Sequence, residues 1–324
     1  MTKITVILCT FNRCKDLAKA LASVSGSVIP AGIEWEVLVV DNNSTDQTHE
    51  VVEEFCRLQP GRFRYMFEPQ PGKSCALNAG IRESRGHILA FMDDDVTVEP
   101  TWLQNLTENL DTQEWAGAGG RTLIAQPVSP PAWVALDGPY GMGGLLGALF
   151  DRGDKPCELH EAPFGTNMAF RKDLFQKHGG FRTDLGPRPG RQIRNEDTEF
   201  GRRLIAGGER LRYEPHAVVY HPVSEQRLRK EYILSWHFDL GRAEVREVAQ
   251  RRDIWGIPRP YLTMLKAVLV TLPKRALQWF SSLNPQERFF RKARFWEIIG
   301  QIVEIYRLWF SRKAPPETAP YPLK

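Results

Sequence analysis

Three consecutive carboxylates, Asp93, Asp94 and Asp95, end the apolar run Ile88-Leu-Ala-Phe-Met92. Such a run reads as a buried strand, and carboxylates crowded at its exit repel one another unless a cation or a hydrogen-bond network offsets their charge. A divalent cation is the simplest partner, because Mg2+ or Mn2+ takes a few hard oxygen ligands from protein and completes its shell with water and phosphate. Alternation along an extended strand would set Asp93 and Asp95 on one side and Asp94 on the other. A solvated acidic turn, or a cap on a helix at Trp102 to Leu106, accounts for the same residues without metal. Asn195-Glu196-Asp197 begins a helical pattern, and a carboxylate there can cap the helix or take a proton from a hydroxyl. The cluster Asp41 to Asp46 offers carboxylate and amide hydrogen bonds to a base or ribose, or serves only as a turn. Lys73 offers charge to phosphate or stands solvated. A metal that neutralises a diphosphate, a loop for a nucleoside and a base for an incoming hydroxyl together point to displacement of a nucleoside diphosphate.

The elements that must carry these groups follow a regular order. Ile4 to Cys9 is a strand ending in Thr10-Phe-Asn-Arg13, and Leu17, Leu21 and Val24 recur at helical spacing. Glu36 to Val40 is a second strand, followed by a helix through Val51, Val52, Phe55 and Leu58. Phe63 to Phe67 is a third, and a helix from Ala76 to Arg85 delivers the chain to Ile88. This alternation predicts an α/β fold with a mostly parallel sheet covered by helices on both faces. Ligands of such sheets bind beyond the carboxyl ends of the strands, where Thr10 to Arg13, Asp41 to Asp46 and Asp93 to Asp95 should share one crevice. From Gly117 to Gly165 the regularity fails, and glycine and proline crowd Pro127 to Gly147. Phe164 to Phe170 reads as a strand, Lys172 to Lys177 as a helix, and Gly186 to Gly190 as a loop leading to the helix at Asn195. Tyr213 to Tyr220 is a last strand, ending at His221, which could reach a metal or simply be held by hydrogen bonds.

The chain is long enough, at 324 residues with 42% hydrophobic and 25% charged, to bury a sizeable core. Its five scattered cysteines include no Cys-x-x-Cys, which suits a reducing compartment and argues against a disulfide framework. No secretory signal is visible, so a cytoplasmic location is expected. Charge divides the chain: residues 1–224 hold 24 Lys and Arg against 29 Asp and Glu, whereas 225–313 hold 18 against 9. The basic part reads as helical, with Tyr232, Trp236 and Leu240 on one face. A proline-rich break at 258–260 precedes an apolar stretch, Tyr261 to Leu272, too short and too charged to span a bilayer. A final helix from Pro285 carries Phe295, Ile299, Ile302, Val303, Tyr306 and Phe310 on one face, with arginines and a lysine at its start. Such a helix suits peripheral contact with an anionic membrane, or packing on the main domain with its arginines solvated. Residues 314–324 are proline-rich and read as a disordered tail.

The ordered runs Thr10-x-Asn12-Arg13, Val40-Asp-Asn-Asn-Ser-Thr-Asp46, Gly72-Lys-Ser-x-Ala-Leu-Asn-Ala-Gly-Ile81, Phe91-Met-Asp-Asp-Asp95, Gly165-Thr-Asn-Met-Ala-Phe-Arg171, Gly179-Gly-Phe-Arg182 and Glu196-Asp-Thr-Glu-Phe200 resemble family 2 glycosyltransferases of the GT-A fold over residues 3–224. The resemblance implies a nucleotide-diphosphate sugar donor and a saccharide or lipid-linked acceptor. By position it places Asp41 on the nucleotide base, Thr10, Phe11, Asn12 and Arg13 around the nucleoside, and Asn43, Lys73 and Asn78 in the donor-binding set. Some relatives carry an Arg where Leu77 stands, which leaves phosphate contact to Lys73. Asp94 would meet the ribose or sugar, and Asp95 would ligate the metal, with Asp93 as first member of the Asp-x-Asp and His221 as a further candidate ligand. Asn167 and Met168 would border sugar and acceptor. Asp197, with Glu196 beside it, would be the base of an inverting transfer. Two other functions fit the same pattern: a protein that binds nucleotide sugars without turnover, and a sugar nucleotidyltransferase, though the latter wants a glycine-rich phosphate loop that Thr10 to Arg13 lacks. A missing Gly-x-Gly-x-x-Gly excludes a Rossmann dehydrogenase, and no nucleic-acid module is present.

Overall fold

The computed structural model describes residues 4–112, 114–190, 192–248 and 259–309. Pro258, Phe310 and the tail at 314–324 lie outside them. The first part alternates as expected: β1 (Ile4–Thr10), α1 (Cys14–Ser25), β2 (Trp35–Asp41), α2 (Thr48–Leu58), β3 (Phe63–Phe67), α3 (Lys73–Glu83) and β4 (Ile88–Asp93). After β5 (Thr97–Val98) and α4 (Trp102–Thr107) come β6 (Gly117–Ile124), the short α5 (Gly143–Gly147) and β7 (Cys157–Leu159). Then follow β8 (Met168–Arg171), α6 (Asp173–His178), α7 (Glu196–Ala206) and β9 (Leu211–His221).

These strands form one sheet in the order β3-β2-β1-β4-β8-β6-β9-β5, with β7 also paired to β9. β3, β2, β1 and β4 are parallel, and β8 enters antiparallel between β4 and β6. Both faces of the parallel half are covered, which explains its unbroken apolar runs. Val6, Leu8, Val37 and Val39 face the helices α1, α2 and α4, whereas Ile7, Leu38 and Val40 face a core built around Phe91, Phe170, Phe175, Phe181 and Phe200. The expected strand at Phe164 to Phe170 starts only at Met168. Residues before it turn instead, with the Asn167 amide bonded back to the Phe164 carbonyl at 3.0 Å and the Gly165 amide committed to Asp197.

The C-terminal part consists of α8 (Lys230–Val248), α9 (Arg259–Lys266), α10 (Leu272–Ser281) and α11 (Pro285–Trp309). α11 runs along α8 at close range, because both crossing points are glycine: a Cβ on Gly241 would overlap the backbone of Glu297, and one on Gly300 the backbone of Phe238. Glu304, fully buried, is bracketed by Arg242 at 2.8 Å and Arg246 at 2.6 Å. Phe289 and Ala293 of α11 share a core with Val134, Met142, Leu146, Val223 and Ile233, so this helix pair also roofs the irregular 133–146 segment. Among the described residues no helix is long and apolar enough to cross a membrane.

Candidate active site

Parallel register brings the loops together. Thr10 lies opposite Asp41, and Cys9 opposite Asp93, so the loops after β1, β2 and β4 leave one edge of the sheet side by side. They line a crevice of about 400 Å³ together with residues of the 187–194 and 224–232 segments.

Within it the aspartates part company in a way that strict alternation does not give. The strand ends at Asp93, so Asp94 and Asp95 sit in the following turn and share Arg13, which donates to Asp94 Oδ1 at 3.1 Å and Asp95 Oδ2 at 2.8 Å. Thr10 Oγ1 donates to the other oxygen of Asp94 at 2.8 Å. Asp93 instead takes Lys73, whose Nζ is 2.6 Å from its Oδ1 and 3.6 Å from Glu196 Oε1. One ammonium therefore joins the aspartate run to the first turn of α7. Burial works against the Lys73 charge, but Asp93, Glu196 and Asp197 outweigh it and hold its pKa above the ordinary lysine value. Burial pushes the Glu196 carboxyl up to about 7, against the pull of Lys73. It likewise lifts Asp94 to about 6, with Arg13 opposing, whereas at Asp93 the nearby Lys73 overcomes burial and lowers the pKa.

Asp197 points a different way from Glu196. Its Oδ2 accepts the Gly165 amide at 2.6 Å and its Oδ1 the Thr198 amide at 2.7 Å, so α7's first turn is fastened to the segment that enters β8. Asp41 is buried and accepts from the Ser44 amide and the Tyr65 hydroxyl, each at 2.9 Å. Asn12 stitches the first two loops, its amide donating to Ser44 Oγ at 2.9 Å and its side-chain oxygen accepting the Thr45 amide at 2.7 Å. Phe11 lines the crevice, whereas Asn43 is an exposed turn residue with φ 72°.

Of the residues expected at the donor, Asn12, Asp41 and Asn43 adjoin lining residues in sequence but are not among them, and three more lie in the interior of the fold. Asn78 is fully buried and exchanges two 2.8 Å hydrogen bonds with the backbone of Phe181, which locks α3 to the turn after α6. Asn167 accepts from Trp102 Nε1 at 2.8 Å and donates to the carbonyls of Arg121 and Ala217, so it serves the sheet interior. Met168 is a core side chain on β8. His221, a candidate metal ligand, has both ring nitrogens engaged, Nδ1 with the Pro222 carbonyl at 2.8 Å and Nε2 with Arg227 at 3.3 Å. Burial lowers its pKa, which favours the neutral ring.

Sequence reasoning missed Asn42, Arg188, Arg194, Arg227 and Tyr232, all lining the crevice. Asn42 accepts the Gly72 amide at 2.7 Å and donates to the carbonyls of Glu68 and Gln70, fixing the approach to Lys73. Arg227 lies 3.6 Å from Asp95 and donates to the Leu146 carbonyl at 2.9 Å. The arginine density of 188–194 was the available signal. Among the described residues no three His, Cys, Asp or Glu side chains converge as a ready-made metal cage. The three aspartates nonetheless present hard oxygen donors beside a cluster of cations. That set fits Mg2+ or Mn2+, which one or two carboxylates usually hold together with substrate phosphates.

The succinoglycan biosynthesis protein ExoM of Rhizobium meliloti is 27% identical over 259 residues, 78% of this chain and 79% of that protein. A glucosyl-dolichyl phosphate glucuronosyltransferase of Haloferax volcanii is 26% identical over 238 residues, 72% of this chain and 73% of that protein. Among solved structures, a mannosyltransferase of Pyrobaculum calidifontis in complex with GDP-Man and Mn2+ superposes with a TM-score of 0.61 over 93% of this chain and 87% of that one, at 18% identity. Residues 5–179, just over half the chain, match the model of glycosyl transferase family 2, and with the GT-A sheet and crevice described above the chain belongs to that family of glycosyltransferases.

Proposed function

We propose that the protein transfers a sugar from a nucleoside-diphosphate sugar to an acceptor hydroxyl with inversion, with Asp197 as base. The observation that carries this reading is Lys73, whose single ammonium is shared by Asp93 and Glu196. Through it the aspartate run that lines the crevice is tied to the acidic first turn of α7.

In this reading Asp41, Asn12 and Phe11 receive the nucleoside at the ends of β1 and β2. Arg13, Lys73 and the arginines at 188, 194 and 227 offer positive charge to the diphosphate. Asp95 and Asp93, with Asp94 beside them, would hold a Mg2+ or Mn2+ ion, which when bound supplies charge that stabilises the departing nucleoside diphosphate. Asp197 takes the proton of the acceptor hydroxyl as its oxygen attacks the anomeric carbon. The bond from that carbon to the phosphate oxygen breaks on the opposite side, so the configuration inverts. The amides of Gly165 and Thr198 fix the carboxylate in place while it does so. The nucleotide and cation of the mannosyltransferase neighbour support the donor class. The names of the succinoglycan and dolichyl-phosphate relatives support a saccharide or lipid-linked acceptor.

A screen of nucleotide-sugar turnover with Mn2+ or Mg2+, run beside Asp95→Ala and Asp197→Asn, tests the mechanism. Asp95→Ala should lose metal-dependent turnover. Asp197→Asn should bind donor normally and slow transfer by about 10²–10⁴-fold. Full transfer by Asp197→Asn would remove that residue as the base.

A further inference from the structure

Most of the exposed apolar surface of the C-terminal part lies off its last helix, where Trp296 and Tyr306 are the large exposed side chains among the described residues. α11 turns much of its length toward α8 and the 133–146 segment, while α9 and α10, joined through a π-helical turn at Ala267–Thr271, pack on α11 by one side only. Their other side carries Leu262, Leu265, Leu269, Pro273, Leu277 and Phe280 at steps of three or four residues, all exposed. Leu269 is 64% exposed, Leu277 71% and Leu283, just past the helix, 96%. The π turn winds through more residues per turn, so Val268, Leu269 and Val270 fan over a narrower arc and all three stay outside. Large apolar side chains concentrated on one solvent face mark an interaction site.

Charge identifies what it meets. Residues 259–286 contain Arg259, Lys266, Lys274 and Arg275 and no Asp or Glu. Lys266 and Lys274 are exposed beside the leucines, and the Lys292 ammonium lies over Trp279 at 5.3 Å. A leucine stripe flanked by lysines with no acidic residue suits the boundary between acyl chains and anionic headgroups, the lysines reaching outward as the leucines sink. We propose that the α9–α10 face docks in the plane of an anionic lipid bilayer. This deepens the reading of a lipid-linked acceptor, yet needs none of the transfer chemistry, so the two fail separately.

The test is flotation of the full chain with vesicles of phosphatidylcholine, with and without phosphatidylglycerol. The parent should float with the anionic vesicles and be released by salt. Leu269→Glu with Leu277→Glu should weaken binding about a hundredfold or more. Lys266→Gln with Lys274→Gln should weaken it about thirtyfold on anionic vesicles alone. Because all four side chains are exposed, both variants should keep the parent's unfolding midpoint and its turnover on a water-soluble acceptor. Loss of flotation with turnover intact supports the surface, and flotation that responds as stated in a protein without transfer activity supports it while removing the transferase mechanism. A parent that does not float, or variants that float like the parent, would overturn it. So would a parent dimer that the leucine variant dissociates without any vesicle binding, since the face would then join two copies of the chain.

Discussion

The side-chain amide of Asn195 donates a 2.7 Å hydrogen bond to Glu247 near the end of α8, so a C-terminal helix holds the residue immediately before Glu196. Asn195 has φ 74°, a left-handed conformation that asparagine tolerates better than most residues, and α7 starts from this bend with Glu196 beside Lys73. Arg202 also pairs with Glu247, at 2.6 Å, and Arg246 donates to the Asp184 carbonyl at 2.6 Å. On the mechanism proposed above, Glu247 is a positioning residue. Glu247→Ala should lower kcat about tenfold with little change in donor KM, because it displaces α7 rather than the nucleotide loops. Glu247→Gln, which can still accept from Asn195, should recover most of the loss. Steady-state kinetics of both variants check the split.

Arg13 occupies the space between Asp94 and Asp95 with a charge that a divalent cation would compete against. Arg13→Gln should therefore bind Mn2+ alone about tenfold more tightly, while binding a nucleoside diphosphate more weakly. Calorimetry with the metal and with the nucleotide, run separately, reads the two opposite signs.

The raised pKa of Glu196, about 7, sets a direction for stability. An unfolded glutamate titrates near 4.3, so between roughly pH 4 and 7 the folded chain binds the extra proton and stability falls as pH rises through this group. Glu196→Gln removes that loss. Its unfolding midpoint should exceed the parent's by more at about pH 8 than at about pH 4, and thermal scans at both values decide it.

Asn167 holds three partners in the sheet interior. Asn167→Ala would leave Trp102 Nε1 and the Arg121 and Ala217 carbonyls unpaired and should destabilise the fold by about 2–3 kcal/mol. Donor KM should stay within about twofold, since Asn167 lies outside the crevice lining. Chemical denaturation together with donor titration tests both halves.

Local pattern in the sequence determined the parallel half of the sheet, the loops at its edge and the acidic residues they carry. Apolar periodicity is a property of neighbouring residues, and strands buried on both faces write it plainly in Ile4 to Leu8, Val37 to Val40 and Ile88 to Met92. Which acidic group meets which cation was not legible. Lys73 reaches Asp93 and Glu196 only because α3 and the α7 turn are brought over the same strand end, and Arg227 joins them from beyond β9. Asn167 and Asn78 were expected at the donor from their places in the resembling motifs, and a polar side chain in such a motif carries no sign of whether it faces a ligand or a buried backbone. Tertiary packing alone decides that, since a hydrogen-bonding group must find its partners wherever the chain buries it. The same holds for the C-terminal helices: apolar spacing marks α9, α10 and α11 alike, and only the glycine crossing of α8 and α11 determines which stripe is covered and which stays outside.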